Sequence, residues 1–199
     1  MSTGHPLRVG IFVFDGAEEL DVVGPYEVLA AWALMSPLRP EVVTFSLDGG
    51  GVRCAKGLCL VPDHAVADVG PLHVLVYPGG QGTRVLAADP EHLAWVRSMR
   101  ASTPLMTSVC TGALVYAAAG LLAGRPATTY WAAFDELIGF DPSVLADDEA
   151  RFVDDGDVVT SAGVSAGIDM ALHLVARLES VEMARAVRRG IQYDPAPPV

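Results

Sequence analysis

The chain has 199 residues, 51% of them hydrophobic and 19% charged, with a formal net charge of −11 and a sequence pI of about 4.7. Such a composition excludes a disordered chain, and the acidic balance opposes nucleic acids and anionic membrane surfaces, which require a basic face. The length suits one domain, residues 1–199, with a core large enough for small-molecule chemistry.

The opening "MSTGHPLRVG" contains no long apolar run and predicts no secretory signal. "LRVGIFVF" (Leu7 to Phe14) reads as a strand, and "AEELDVVGPYEVLAAWA" (Ala17 to Ala33) as a helix interrupted near Gly24-Pro25. "EVVTFSL" (Glu41 to Leu47) is the next strand, and "VRCAKGLCLVP" (Val52 to Pro62) reads as two short strands around Lys56-Gly57. "HVLVYPGG" (His73 to Gly80) is a strand running into a Gly-Gly loop. In "DPEHLAWVRSMRAS", Asp89 before Pro90 is a helix-start signal. "PLMTSV" (Pro104 to Val109) is a strand, followed by a helix "CTGALVYAAAGLLAG" closed by Gly124. "RPATTY" and "ARFVDDGDVVTSAG" supply further strands, the latter a hairpin around Asp155-Gly156. "SAGIDMALHLVARL" and "SVEMARAVRRGIQ" are helices, and "YDPAPPV" is a stiff, extended tail. Strands alternating with helices indicate an α/β fold with a mostly parallel sheet and right-handed crossovers.

Residues 101–124 carry no charge, a run long enough to span a bilayer. Pro104, three glycines and five serines or threonines inside it favour a buried parallel strand followed by a buried helix. No membrane association is expected.

The three cysteines, Cys54, Cys59 and Cys110, are odd in number and irregularly spaced, which argues against a disulfide framework and for a reducing cytoplasm. No His/Cys pattern has metal-ligand spacing. Cys54 and Cys59, in strand-like segments, read as small buried hydrophobes. Cys110 differs: it stands where an apolar strand meets an Ala-rich helix, in "SVCTG". The segment compares with the strand-turn-helix nucleophile elbow G-x-S-x-G, with Ser108 and Gly112 in the flanking places and a thiol for the hydroxyl. At a helix N-terminus free N–H groups and the helix dipole lower a thiol's pKa, so Cys110 reads as a nucleophile, with a buried small side chain as the competing reading.

Ligands in open α/β sheets bind at the carboxyl ends of strands. Gly79 and Gly80 end the "VLVYPGG" strand and, with the Thr111 N–H, form a candidate anion hole. Glu18, Glu19 and Asp21 follow the first strand; acidic residues there serve the helix dipole, or one of them faces the sulfur as a general acid, kept protonated by like charge. No histidine adjoins Cys110; His64, His73, His92 and His173 read as a loop residue, a strand start and two helix positions, structural or exposed.

Over nearly its whole length the chain resembles the ThiJ/PfpI superfamily, on "FDGAEELDVVGPYEVLA", "VLVYPGG", "TSVCTGALVYAAAGLLAGRPATTYWA", "VVTSAGVSAGIDMALHLVARL" and "YDPAPP". Within it the chain is similar to the isonitrile hydratases (isocyanide hydratases). The resemblance implies a class I glutamine amidotransferase-like, flavodoxin-like three-layer sandwich, with helices on both faces of the sheet. It makes Cys110 the nucleophile, Asp21 the carboxyl facing the sulfur, Thr111 the threonine following the nucleophile and Gly80 the anion-hole glycine. It also implies a homodimer.

Two departures from relatives stand out. Many carry a histidine after the cysteine, where this chain has Thr111; others carry "TTHW", where this chain has "TTYW" with Tyr130. The chain also ends at Val199 without the helix-turn-helix region of related regulators.

The resemblance implies hydration of an organic isonitrile to an N-substituted formamide through a thioimidate on Cys110, with Asp21 as general acid and base and without metal or organic cofactor. Tyr130 and Trp131, with Gly79, are candidates for the pocket that holds the organic substituent, although aromatics at this spacing equally suit plain core. Rival readings are glyoxalase or deglycase chemistry on small aldehydes at the same sulfur, and a non-catalytic thiol sensor or ligand-binding protein.

Overall fold

The structure, a computed structural model, describes residues 6–196. In chain order its elements are β1 (Arg8–Phe12), α1 (Glu19–Met35), β2 (Glu41–Ser46), β3 (Val52–Arg53), β4 (Cys59–Leu60), β5 (His64–Ala65), β6 (Val74–Tyr77), α2 (Thr83–Ala87), α3 (Pro90–Ser102), β7 (Leu105–Val109), α4 (Gly112–Ala118), β8 (Pro126–Ala127), α5 (Phe134–Phe140), β9 (Leu145–Ala146), β10 (Phe152–Asp154), β11 (Val158–Ser161), α6 (Ala166–Leu178) and α7 (Val181–Gly190).

β6 and β7 are buried along their whole length, as strands covered on both faces must be. They lie centrally in a seven-stranded sheet of order β10-β11-β7-β6-β1-β2-β5. All neighbours are parallel except β10 and β11, which form the expected antiparallel hairpin. α1, α6 and α7 pack together on one face, and α2 to α5 on the other. This is the mostly parallel α/β fold that the sequence predicts, in the flavodoxin-like three-layer form that the resemblance implies. Trp32, Tyr77, Tyr116, Phe12 and Phe45 are the largest wholly buried side chains of the core. Its polar atoms are mostly paired: Thr107 Oγ1 donates to Leu75 O at 3.0 Å, Tyr116 Oη donates to Thr107 O at 2.9 Å, and Tyr77 Oη lies 2.7 Å from His92 Nε2.

Several local expectations need correction. α1 runs unbroken through Pro25. A proline inside a helix removes one hydrogen bond, but Gly24 and Pro25 lie against Ile168 and Gly167 of α6, and packing holds the helix together. The helix predicted from Cys110 to Gly124 ends at Ala118, followed by Gly120 at φ +80°. Of "RPATTY" only Pro126–Ala127 is strand, paired with Leu145–Ala146 outside the main sheet. β5, β9, α2 and α5 carry too little periodicity to be read from sequence, so His64 lies on a short edge strand rather than in a loop. Cys59 is exposed rather than buried, because the β3–β4 hairpin lies outside the core, whereas Cys54 is buried. Of the predicted tail, Tyr193 donates through its hydroxyl to Asp169 Oδ1 at 3.0 Å, and residues 197–199 lie outside the described residues.

Among the described residues no helix is long and apolar enough to cross a membrane. The uncharged run 101–124 is divided between the end of α3, β7 and α4.

Candidate active site

The carboxyl ends of β1, β6, β7 and β11 converge on Cys110. The residue stands between β7 and α4 at φ +56°, a left-handed conformation that costs a non-glycine residue about 1–2 kcal/mol. The neighbourhood over-determines it. Its N–H donates to Ser161 O at 3.0 Å and Ala162 O at 3.2 Å, and its carbonyl accepts from Thr129 Oγ1 at 2.8 Å. Gly112 is required beside it, since a Cβ there would lie 2.5 Å from Tyr77 O. The sharp turn predicted for "SVCTG" is thus present.

Asp21, in the first turn of α1, is wholly buried. Its Oδ2 accepts from Gly79 N–H at 2.9 Å, while Oδ1 has no nitrogen or oxygen partner. The carboxyl lies beside the Cys110 thiol and is electrostatically coupled to it. Gly79 permits this approach: a Cβ there would stand 2.5 Å from Thr111 N, 2.8 Å from Asp21 Oδ2 and 2.8 Å from Cys110 Cβ.

Burial dominates both titrations. It pushes Asp21 up to about 7, with the nearby Glu18 carboxylate raising it further and the Gly79 N–H opposing. It pushes Cys110 up to about 12, with the Asp21 charge adding to the effect. The sequence predicts a lowered thiol pKa, and here the structure differs. The N–H groups of Thr111 and Val164 do favour the thiolate, but desolvation and the neighbouring carboxylate outweigh them. The result is a coupled pair that gives up its first proton near neutral pH and keeps the second on the sulfur well above it.

The predicted donors are also redistributed. Gly79 N–H is taken by Asp21 and Gly80 N–H by Thr111 Oγ1 at 2.9 Å, so neither is open to an anion. The amides that face the sulfur belong to Thr111 and Val164. Val164 stands at φ +51°, a strained conformation for a β-branched residue, and "SAGVSAG" carries no periodic signal that would have marked it.

Cys110 opens into a cleft of about 580 Å³, lined also by Glu18, Lys56, Gly80, Gln81, Arg84, Thr111, Tyr130 and Val164. Tyr130 lines it and packs against Gly163, where a Cβ would lie 2.4 Å from its ring. Trp131 does not contribute: it is 77% exposed, its ring 5.5 Å from that of Tyr130. Glu18 and Glu19 do more than serve the helix dipole. Both pair with Lys56 Nζ, and Glu19 Oε1 accepts from Lys56 N–H at 2.6 Å, which pins the β3–β4 hairpin over the start of α1. Among the described residues no histidine lines this cleft, and no three His, Cys, Asp or Glu side chains gather as a metal site. His92 is buried against the Tyr77 hydroxyl, and burial pushes its pKa down to about 4.

The model of the DJ-1/PfpI family matches residues 7–177. The chain belongs to this family. It is 39% identical to the isonitrile hydratase of Pseudomonas putida, over 96% of this chain and 81% of that protein. It is 29% identical to a glutathione-independent glyoxalase of Caenorhabditis elegans, over 89% of this chain and 91% of that one. Among solved structures, a ThiJ/PfpI family protein from Pseudomonas syringae superposes with a TM-score of 0.88 at 34% identity, covering 98% of this chain and 78% of that one. This DJ-1/PfpI chain is therefore similar to proteins named for different activities.

Proposed function

We propose that this DJ-1/PfpI protein is an isonitrile hydratase-like enzyme acting through Cys110 and Asp21. The observation that carries the reading is a buried carboxyl, Asp21, set beside a buried thiol, Cys110, at the tip of a strained elbow that opens into a cleft. The likeness to the Pseudomonas putida enzyme supports it.

The one-proton pair rests as a thiol beside the Asp21 carboxylate, and it reacts as the sulfur hands its proton to Asp21, leaving a thiolate beside a protonated carboxyl. The Cys110 thiolate bonds to the terminal carbon of the isonitrile while Asp21 protonates that same carbon, giving a thioimidate. Asp21, now ionised, takes a proton from water as the water oxygen bonds to this carbon and the C=N π pair moves to nitrogen. Asp21 passes that proton to the nitrogen. Collapse of the adduct breaks the C–S bond, releases the N-substituted formamide and returns the hydroxyl proton to Asp21. The Thr111 and Val164 amides hold the sulfur charge at the start and at the end. Tyr130 forms one wall for the substituent; Trp131, being exposed, does not. This chemistry uses no metal or organic cofactor.

The test is to incubate the protein with an aryl isonitrile and, in parallel, with methylglyoxal. Formamide from the first supports the reading. Lactate from the second without formamide establishes the glyoxalase reading instead, and turnover of neither leaves a thiol sensor or binding protein.

The pH profile follows from the shared proton. With Asp21 near 7 and Cys110 near 12, the pair carries two protons below about pH 7 and one above it. The one-proton state is reactive, so kcat/KM should rise about tenfold per pH unit up to about 7 and then level. A profile that falls above pH 7 would sink the assignment.

The reading includes a single domain, a cytoplasmic location, which the three unbridged cysteines suit, and a homodimer. Val23, Tyr26 and Val61, the last 85% exposed, border an apolar groove between α1 and β4. A second copy related by a two-fold axis would cover them. Sedimentation at micromolar concentration should give twice the 20.9 kDa chain mass; a monomer alone would overturn this.

A further inference from the structure

Four donors beside Cys110 compete for one carbonyl. Gly80 O lies 2.7 Å from Thr83 Oγ1, 3.2 Å from Thr83 N, 3.3 Å from Arg84 Nη1 and 3.2 Å from Thr111 Oγ1. A carbonyl oxygen offers two lone pairs. Hydroxyl donors prefer about 2.7–2.8 Å, so Thr83 is well placed and Thr111 is not. The Thr83 proton can also reach Thr111 Oγ1 at 3.1 Å, but the shorter bond to the carbonyl is the better one. Meanwhile Gly80 N–H donates to Thr111 Oγ1 at 2.9 Å, which fixes that oxygen, and the Thr111 proton has only the longer 3.2 Å contact to the crowded carbonyl.

We infer that Thr83 is a positioning residue: by occupying the Gly80 carbonyl, it releases the Thr111 hydroxyl proton into the cleft, where it donates to the substrate nitrogen. Thr83 is wholly buried and does not line the cleft, so it acts only through Thr111. Arg84 supports the same carbonyl while its Nε and Nη2 pair with Glu136 at 2.9 and 2.7 Å, bracing α2 against α5. The inference rests on the proposed hydration. There the demand for a donor arises when water adds to the thioimidate and the C=N π pair collects on nitrogen. The Thr111 O–H points at that growing charge and stabilises the transition state more than the bound substrate. Without the Thr83 hydroxyl, the Thr111 proton turns to the vacated lone pair of Gly80 O, and the nitrogen loses its donor.

The experiment compares aryl isonitrile hydration by the wild-type protein, Thr83→Val, Thr83→Ser, Thr111→Val and the Thr83→Val/Thr111→Val double variant. Thr83→Val should lower kcat about tenfold with KM within about twofold, because the lost donor acts in the transition state. Thr83→Ser, which keeps the donor, should recover most of that loss. The double variant should be no slower than Thr111→Val, since the two hydroxyls act as one unit. Alkylation of Cys110 by iodoacetamide should be unchanged in Thr83→Val, showing an intact elbow. Should the valine variant fail to fold, Thr83→Ala removes the same donor and carries the same expectation. An active wild type with undiminished kcat in Thr83→Val or Thr83→Ala, or additive losses in the double variant, overturns the role of Thr83 and leaves the hydratase reading standing. A wild type that hydrates no isonitrile overturns both.

Discussion

Asp21→Asn is expected to lower turnover of an aryl isonitrile by about a hundred- to ten-thousand-fold, the usual worth of general acid–base assistance, while making the protein more stable above neutral pH. Both effects come from one proton. Asparagine keeps an oxygen for the Gly79 N–H, which donates to Asp21 Oδ2 at 2.9 Å, but it cannot carry a proton in and out. The stability effect has the opposite sign to that of a salt-bridged carboxylate. The folded pKa of Asp21 is raised from 3.8 to about 7 by burial, so the folded state binds a proton that the unfolded state has released. Stability therefore falls as pH climbs from about 4 to about 7. One pKa unit corresponds to about 1.4 kcal/mol, so the cost at pH 8 is on the order of a few kcal/mol. Asparagine escapes it. The melting temperature of Asp21→Asn should exceed that of wild type by more at pH 8 than at pH 5. Near-normal turnover would remove the proton-transfer role, and a stability difference that does not change with pH would mean that Asp21 is ionised in the fold.

Cys110→Ser should cost at least as much, about a thousandfold or more, because a hydroxyl is a far weaker nucleophile at any pH the protein tolerates. Serine is small enough for the left-handed elbow, and its backbone keeps the bonds to Ser161, Ala162 and Thr129, so the melt should move little. Adding Asp21→Asn should scarcely slow the variant further, since groups acting as a unit are not additive. A complementary readout separates the two partners. In Asp21→Asn the carboxylate no longer opposes ionisation of the thiol, so Cys110 should alkylate faster than in wild type while turnover collapses. Formamide production by Cys110→Ser at a rate near wild type would rule out a covalent thioimidate.

The sandwich was legible because its information is local. Apolar runs such as "VLVY" and "LMTSV" become fully buried strands, and Asp89 with Pro90 starts α3, its side chain accepting from Glu91 N–H. The elbow was legible for the same reason, since Ser108, Cys110 and Gly112 are neighbours in sequence. What sequence could not supply was competition among distant groups. Helix-end arguments favour a low thiol pKa at Cys110, yet the result depends on how deeply the sulfur is buried and on Asp21, 89 positions earlier. Gly79 and Gly80 look like free donors in "YPGG", but their N–H groups are claimed by Asp21 and Thr111. Val164 and Thr83 have ordinary neighbours and become visible only when the chain folds back on itself. Trp131 was misplaced because "YW" gives two large rings with nothing to say which faces the protein.

The strained backbone at Val164, whose amide faces the sulfur, has a consequence for a chain still being made. Cys110 emerges 54 positions before Val164. At about 5–20 residues per second that is roughly 3–10 s during which the thiol exists without this partner. Ser161 and Ala162, which accept the Cys110 N–H, are also missing in that interval. Without them nothing offsets the left-handed conformation, so the elbow relaxes and the thiol, no longer buried beside the Asp21 carboxylate, returns towards an ordinary cysteine pKa. The unfinished chain thus carries a thiol that ionises more easily than in the complete fold, and a fragment stopped before β11 should be alkylated by iodoacetamide faster than the folded protein.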